Sequence, residues 1–273
     1  MPPRRFQSLI APARRRGSQI RTARGITNLL IWANKNKRRF PWRSKVGAYR
    51  ILLAEKLLQQ TAARENVARA YQELTAYCPN SERLAKADLA KLTKIIKPLG
   101  FAYRAKELKA LGQAIVLNYN GRVPRNLERL LSLPGVGDYA ARAVLSFAFS
   151  KDVPIVDTNV ARFLFRFLGL PGALPLNPAR NKELLRLAAE LVPSGRSREY
   201  NFAILDLCAA VCTSTNPKCQ ICPVRDDCAF GSRFLSSTSM KQTGAHTATR
   251  TAVHRSRIKS HSRTKLVSLQ NTK

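Results

Sequence analysis

Between residues 25 and 232 the apolar side chains recur at intervals of three and four positions, which places them on one face of an α-helix. The segments that show this spacing are ILLAEKLLQQTAARENVARAYQEL, ADLAKLTKIIKPL, RAKELKALGQAIVLNY, LERLLSL, AARAVLSFAF, NVARFLFRFLGL, KELLRLAAELV and YNFAILDLCAAVC. No segment alternates apolar and polar residues as a half-buried strand would. The pattern therefore predicts an all-α protein of about ten short helices.

The charge of the chain narrows the choice of partner. It has 48 Lys and Arg residues against 16 Asp and Glu, a formal net charge of +32. A surplus of this size points to a polyanion, with nucleic acid as the first candidate and a membrane surface as a weaker one. No apolar run approaches the ~20 residues that span a bilayer, and no signal-peptide core follows the basic start. We therefore expect a cytoplasmic, nucleoid-associated protein with no membrane partner.

Both ends of the chain differ in composition from the middle. Residues 1–24 are rich in arginine, and residues 233–273 are rich in Ser, Thr, Lys and Arg with few large apolar side chains. Such composition predicts disordered basic arms that contact phosphate without sequence preference. The histidines His246, His254 and His261 all lie in the second arm. Histidine-based nucleophilic triads and histidine metal sites are thereby excluded from the middle of the chain.

A short turn with two glycines lies between two predicted helices. Gly135, Val136 and Gly137 follow Leu133-Pro134 and lead directly into the helix YAARAVLSFAF. Backbone N–H groups at such a helix start point outward, where a DNA phosphate can approach closely. A plain turn between two helices would have a similar sequence, but the net charge favours phosphate binding. The three residues are therefore candidate DNA-binding residues.

Four of the six cysteines are clustered near the end of the chain. They are Cys212, Cys219, Cys222 and Cys228, with spacings of six, two and five residues between them. One loop with these spacings can surround a metal centre, and four thiolates suit either zinc or an iron–sulfur cluster. Structural zinc sites more often use two short Cys pairs, so a single pair favours iron–sulfur. Cys78 and Cys208 lie in apolar helical segments and are expected to be buried.

The order of these features resembles that of a known family. The motif LPGVG at 133–137, the motif VDTNV at 156–160 and the four cysteines follow one another as in the helix-hairpin-helix DNA glycosylases of the endonuclease III superfamily. The resemblance covers roughly residues 26–232. It implies an enzyme that binds double-stranded DNA and receives one flipped nucleotide in a cleft.

The resemblance implies a two-lobed all-α fold with a C-terminal iron–sulfur cluster loop. One lobe comprises residues 46–152 and ends in the hairpin. The other joins residues 25–45 to 153–232 and carries the cysteines, on which the resemblance implies a [4Fe-4S] cluster. This cluster is expected to act as a structural staple that holds Lys218 and Arg225 against the DNA backbone.

Two carboxylates are candidate catalytic residues. Asp157 precedes a helix, where an aspartate also serves as an N-cap, and the resemblance implies that its charge stabilises the cationic sugar of the transition state. Glu55 lies in the apolar helix ILLAEKLLQQT, where a surface position is the alternative. If it is buried, it has a raised pKa and holds a proton for the leaving base. The segment 54–61, preceded by FPWR at 40–43, is similar to the mismatch-specific branch of the family, in which this glutamate is catalytic.

Position 139 distinguishes two activities within the family. Members that also cleave the DNA backbone have a lysine there, whose amine forms a Schiff base. Tyr139 cannot form that imine, so the resemblance implies base removal without strand cleavage. Asn159 is expected to orient water or the sugar. Gln60, with Phe101 as a second candidate, is expected to fill the gap left by the flipped base.

The mismatch branch includes two substrate classes. Glu55, Asp157 and the run LQQT favour adenine opposite guanine or 8-oxoguanine, because a purine offers N7 to a proton donor and thymine does not. The segment 121–126 is more similar to the branch that removes thymine or uracil opposite guanine. Adenine-removing members usually have a second domain after the cysteines. In this sequence a basic low-complexity segment follows the cysteines instead.

We therefore predict a monomeric, monofunctional adenine glycosylase of base excision repair that acts on mismatched duplex DNA. A thymine/uracil glycosylase is the main alternative. An endonuclease III-like lyase, a catalytically silent DNA-binding module and a cluster-based redox protein are further alternatives.

Overall fold

The computed structural model describes residues 16–100 and 102–233, which form eleven α-helices, five short 3₁₀ helices and no strand. The α-helices are α1 (Arg16–Asn36), α2 (Ala48–Leu58), α3 (Glu65–Tyr77), α4 (Ser81–Ala85), α5 (Leu89–Ile96), α6 (Arg104–Tyr119), α7 (Leu127–Leu131), α8 (Asp138–Phe149), α9 (Thr158–Leu168), α10 (Lys182–Ala189) and α11 (Ser197–Ala210). The predicted all-α class is confirmed. None of the described helices is long and apolar enough to cross a bilayer.

One predicted helical segment is interrupted. The run that starts ILLAEKLLQQT forms α2 and α3, and residues 59–64 between them are not α-helical. Gln60 there has a φ of 55°, in the left-handed region. Leu58 and Ala63 on either side both pack against the same apolar cluster. The apolar spacing therefore continues across the break, and periodicity alone does not reveal it.

Helix α1 begins inside the segment 1–24 that the sequence predicts as a disordered arm. Residues 16–24 are helical instead, while 1–15 and 234–273 lie outside the described residues. Arg24 Nη2 lies 2.6 Å from Asp227 Oδ1, and the Asp227 side chain is buried. These two residues are 203 positions apart. Local composition cannot reveal such a partner, so it does not predict that the helix starts at residue 16.

The buried apolar side chains form three clusters. The first joins α1 to the segment that runs from Val156 to Phe230. The second is built mainly from residues 40–108, and the third mainly from residues 46–155. The second cluster includes Trp42 and the third includes Ile155, so both contain residues from either side of the predicted lobe boundaries. The lobe boundaries themselves stay a prediction.

A buried polar network fixes the extended segment that ends at Asp157. Asn201 on α11 donates from Nδ2 to the Val153 carbonyl at 2.9 Å, and its Oδ1 accepts from the Ile155 N–H at 3.3 Å. The same amide nitrogen also lies 2.9 Å from the Ser146 hydroxyl and 3.1 Å from the Ser197 hydroxyl. These buried polar groups satisfy one another, so the segment has one well-defined path across α8 and α11.

Candidate active site

Glu55 lies on α2, and its side chain is only 6% exposed. Burial raises the pKa of the Glu55 carboxyl to about 8; the charge of Arg43 opposes this rise and the charge of Asp157 adds to it. The carboxyl is therefore mostly protonated at pH 7. A buried, protonated glutamate is what proton donation to a leaving base requires.

Asp157 is the N-cap of α9. Its Oδ1 accepts from the Val160 N–H at 2.7 Å, and its Oδ2 accepts from Asn159 Nδ2 at 3.1 Å. Two donors and the positive end of the helix dipole thus orient the carboxylate. It lies close enough to Glu55 for its charge to affect that residue's pKa. The capping role and the predicted electrostatic role are therefore compatible.

Tyr139 lies in the first turn of α8, next to the two carboxyl groups. Burial raises the pKa of its hydroxyl well above the ordinary value. The charges of Glu55 and Asp157 raise it further, against the opposing effect of Arg43 and Arg38. The phenol is therefore neutral. The fold brings these three predicted residues, from α2, α8 and the start of α9, into one site.

Arg43 belongs to this site, although the sequence alone predicts no catalytic or binding role for it. Its Nη1 lies 2.6 Å from Asp206 Oδ2, and Arg38 Nε lies 2.6 Å from the other carboxylate oxygen. The Arg43 guanidinium also lies 4.6 Å from the centre of the Phe202 ring. The only sequence signal for Arg43 is its position at the end of the aromatic motif FPWR. Its partner is 163 residues away, so the ion pair leaves no local signal.

The predicted hairpin forms a tight turn before α8. The Val136 N–H donates to the Leu133 carbonyl at 3.1 Å, and Gly135 has a φ of 66°, which glycine adopts without strain. Proline followed by glycine at the turn centre is typical of a type II turn. Gly137 precedes α8 and provides no side-chain cap, so the first N–H groups of α8 are left for an anion.

An acidic residue, Asp138, begins α8 beside this predicted phosphate site. Its Oδ2 accepts from Arg180 Nε at 2.8 Å. The Arg180 side chain is 69% exposed. This partner offsets the negative charge that would otherwise repel a phosphate.

The other predicted DNA contacts are spread over the described surface. Gln60 is exposed directly after α2, and Lys218 is exposed in the cysteine loop. Arg225 Nε lies 3.0 Å from Asp226 Oδ1, so its charge is partly compensated. Phe101 lies outside the described residues. The DNA-binding roles of these side chains stay predictions.

The four clustered cysteines surround one small cavity. Its lining includes Phe163, Val211, Cys212, Cys219, Cys222, Val224, Cys228 and Phe230. Burial raises the pKa of the Cys222 thiol to about 12 and also raises that of Cys219 and Cys228. Thiolates form in such a place when a positive metal centre compensates their charge. Four sulfur donors around one largely apolar cavity therefore fit an iron–sulfur cluster. Cys78 and Cys208 are buried, as predicted.

Arg162 on α9 connects the cysteine loop to the carboxylate. Its Nη2 donates to the Cys212 carbonyl at 2.9 Å, and its Nη1 donates to Asn159 Oδ1 at 3.0 Å. Asn159 in turn donates to Asp157. Arg166, one turn later, donates to the next two carbonyls of the loop. A continuous chain of hydrogen bonds thus joins the backbone of a predicted cluster ligand to Asp157.

Comparison with known proteins agrees with this geometry. Residues 54–194 match the HhH-GPD superfamily of base excision DNA repair proteins, and residues 212–228 match the iron–sulfur binding domain of endonuclease III. The chain belongs to the HhH-GPD superfamily. The predicted family, its DNA N-glycosylase class and the iron–sulfur domain are thereby confirmed.

Relatives of this HhH-GPD protein fall into both predicted substrate classes. It is 35% identical over 206 residues to the thymine/uracil-DNA glycosylase of Methanothermobacter thermautotrophicus, which covers 75% of this chain and 92% of the relative. It is 38% identical over 197 residues to the adenine DNA glycosylase of Mycolicibacterium smegmatis, covering 72% of this chain and 66% of the relative. The structure of a thermostable thymine-DNA glycosylase matches with a TM-score of 0.73 and 34% identity, over 79% of this chain and 98% of that one.

We expect Arg162→Met to slow base excision about tenfold, because Asn159 then loses the contact that orients it toward Asp157. The visible absorbance of the iron–sulfur centre should stay, since no cysteine is changed and Arg166 still donates to two carbonyls of the loop. The matched control is Arg186→Met, which removes an exposed arginine that is ion-paired within α10. Single-turnover rates normalised to iron content measure the effect. A wild-type rate in Arg162→Met would show that the hydrogen-bond chain does not orient Asp157.

Proposed function

We propose that this protein is a monofunctional DNA glycosylase that removes adenine mispaired with guanine or 8-oxoguanine and leaves an abasic site. The observation that carries the proposal is the buried Glu55 beside Asp157, with a pKa of about 8. Protonation at N7 makes adenine a better leaving group, whereas thymine offers no such nitrogen. A site built around a neutral carboxylic acid therefore favours the purine.

The proposed reaction uses the two carboxyl groups in sequence. Glu55 gives its proton to N7 of the flipped adenine, and the electrons of the C1′–N9 bond leave with the base. The sugar becomes an oxocarbenium-like cation, which the carboxylate of Asp157 stabilises at close range. Water then adds to C1′, and the proton that it loses returns to Glu55. Adenine and an abasic sugar hydroxyl are the products.

We further propose that the protein acts as a monomer on duplex DNA of the nucleoid. The net charge of +32 and the uncapped N-terminus of α8 support binding to DNA. The four cysteines would hold a [4Fe-4S] cluster, which organises the loop around Lys218 and Arg225. Binding that depends on many phosphate contacts is expected to weaken steeply as salt is added.

A second candidate activity is removal of thymine or uracil opposite guanine. The segment 121–126 and the similarity to thymine/uracil-DNA glycosylases over most of their length favour it. In that reaction the carboxylate of Asp157 would serve the same purpose, since the sugar cation is common to both. Glu55 would then act on an oxygen of the pyrimidine or on water.

A panel of duplexes distinguishes the two candidates. Duplexes with A·G, A·8-oxoguanine, T·G or U·G are incubated with the protein and then treated with alkali, which cleaves abasic sites. We expect cleavage of the two adenine substrates. Cleavage of only T·G and U·G would favour the second candidate, and release of no base from any duplex would contradict both. Asp157→Asn serves as the control for contaminating glycosylases.

We expect Tyr139→Lys to gain strand cleavage without alkali, because an amine beside C1′ can form a Schiff base with the abasic sugar. Borohydride should then trap a covalent protein–DNA adduct, visible by gel electrophoresis. Tyr139→Phe is the control, since it removes the hydroxyl and adds no amine. Efficient nicking by the wild-type protein would overturn the monofunctional assignment.

A further inference from the structure

Lys56, the neighbour of Glu55 on α2, is 1% exposed and has no part in the reaction proposed above. Its Nζ lies 2.8 Å from Glu107 Oε2 on α6 and donates to the carbonyl of Gly135 in the hairpin at 3.0 Å. Lysine is almost never fully buried unless it is paired. Here one partner neutralises the ammonium and the other is the backbone of the turn.

The side chain of Gln59, the residue that follows α2, donates to the same carbonyl. Gln59 Nε2 lies 3.0 Å from the Gly135 oxygen, which therefore accepts two hydrogen bonds. A Cβ added at Gly135 would collide with Lys56 Nζ. The glycine adopts its left-handed φ without strain and leaves room for the ammonium, which a Cβ would displace.

These contacts join two parts of the site with different tasks. The helix α2 carries Glu55 and ends two residues before the exposed Gln60, whereas the hairpin is the predicted phosphate-binding element. A carbonyl that turned toward the phosphate would repel it. The two donors hold the Gly135 carbonyl against Lys56 and Gln59, while the start of α8 has no side-chain cap.

We propose that Lys56 is a positioning residue that locks the phosphate-binding hairpin onto α2. Capture of the DNA backbone at the hairpin then places the flipped nucleotide at a fixed distance from Glu55. This inference rests on the proposed function and adds a residue that couples DNA binding to base insertion. In the sequence, Lys56 resembles an ordinary helix-surface lysine, and Gly135 lies 79 positions away.

The test is Lys56→Met, which keeps the length of the side chain and removes its donor. Misplacement of a bound substrate by about 1 Å can slow a reaction about a hundredfold, so we expect the single-turnover excision rate to fall about 10- to 100-fold. The Kd for the same duplex should change far less. The pH at which activity declines should stay that of the wild type, because Glu55 is unchanged.

A merely structural role would lower the melting temperature and the active fraction, but not the rate per active molecule. Active molecules are therefore counted by the burst of product in each preparation. Gln59→Met provides a second variant, which removes the other donor from a partly exposed position and is expected to fold. Its rate should fall in the same direction by a smaller factor. Lys106→Met makes the same chemical change at an exposed position of α6 and should stay close to the wild-type rate.

Fluorescence of 2-aminopurine at the target position measures base extrusion independently of excision. We expect the DNA-dependent increase in the wild type and its loss in Lys56→Met. If Lys56→Met folds, wild-type rates and fluorescence in both variants would overturn the proposal. If Lys56→Met does not fold, wild-type fluorescence in Gln59→Met would overturn it. A wild type that extrudes the base but excises nothing from the duplex panel would contradict the proposed function alone.

Discussion

Asp157→Asn is expected to lose nearly all base excision, by about 10²–10³-fold, while it binds mismatched duplex as tightly as the wild type. The change replaces a carboxylate by a neutral amide at the position where a sugar cation develops. Loss of one preorganised electrostatic contact to such a transition state commonly costs a factor of this size. Single-turnover excision and equilibrium binding, measured on the same duplex, separate the two effects.

The substitution should leave the fold intact, because asparagine and aspartate are comparable N-caps. A matched control is available in Asp88, which caps α5 through a hydrogen bond of 2.8 Å from the Lys91 N–H to its Oδ1. Asp88→Asn makes the same chemical change at the same kind of position, away from the site. It should retain full activity. Full activity in Asp157→Asn as well would remove Asp157 from the mechanism.

The helical class and most helix positions could be predicted from the sequence, because apolar spacing depends on neighbours within one or two turns. The break at residues 59–64 could not. There the apolar spacing continues while Gln60 adopts a left-handed backbone and Gln59 bonds to the hairpin. The early start of α1 is a similar case, since the buried partner of Arg24 lies in the cysteine loop. Both errors come from contacts between distant parts of the chain.

The same distinction applies to the candidate site, where some residues can be predicted from the local sequence and others cannot. Asp157, Tyr139 and the cysteines carry local signals, namely a helix start, a hairpin and a spacing. The residues that orient them carry none, because Arg162 and Lys56 act through backbone carbonyls far along the chain. A carbonyl acceptor is present at every position. No residue type in the sequence can therefore mark it as a partner.

The large positive charge also has more than one use. The sequence suggests a single purpose, attraction of DNA, but several cations are internal. Arg43 pairs with a buried aspartate, Lys56 supports the hairpin, and Arg162 and Arg166 hold the cysteine loop. Removing such residues is expected to disturb the geometry of the site more than the salt dependence of binding. Exposed cations such as Lys218 should show the opposite behaviour.

Glu55→Gln is expected to slow excision of adenine by about 10²–10⁴-fold, because glutamine cannot give a proton to the leaving base. The wild-type rate should be constant at neutral pH and fall about tenfold per unit above pH 8, where a Glu55 pKa of about 8 implies loss of the proton. The variant should not show this decline. Glu73→Gln, an exposed substitution on α3, is the control and should match the wild type at every pH.

The same substitution should raise stability in alkaline solution. The pKa of Glu55 is higher in the folded protein than its ordinary value of 4.5, so folding favours the protonated form. Its contribution to the free energy of unfolding is complete below pH 4.5 and is lost as the pH rises through about 8, by an amount on the order of a few kcal/mol. Glutamine cannot ionise and does not lose it. We therefore expect Glu55→Gln to melt at a higher temperature than the wild type above pH 8 and at a similar temperature near pH 4.5. Equal melting temperatures across this range, together with an unchanged pH–rate profile, would show that Glu55 is not the buried acid of this site.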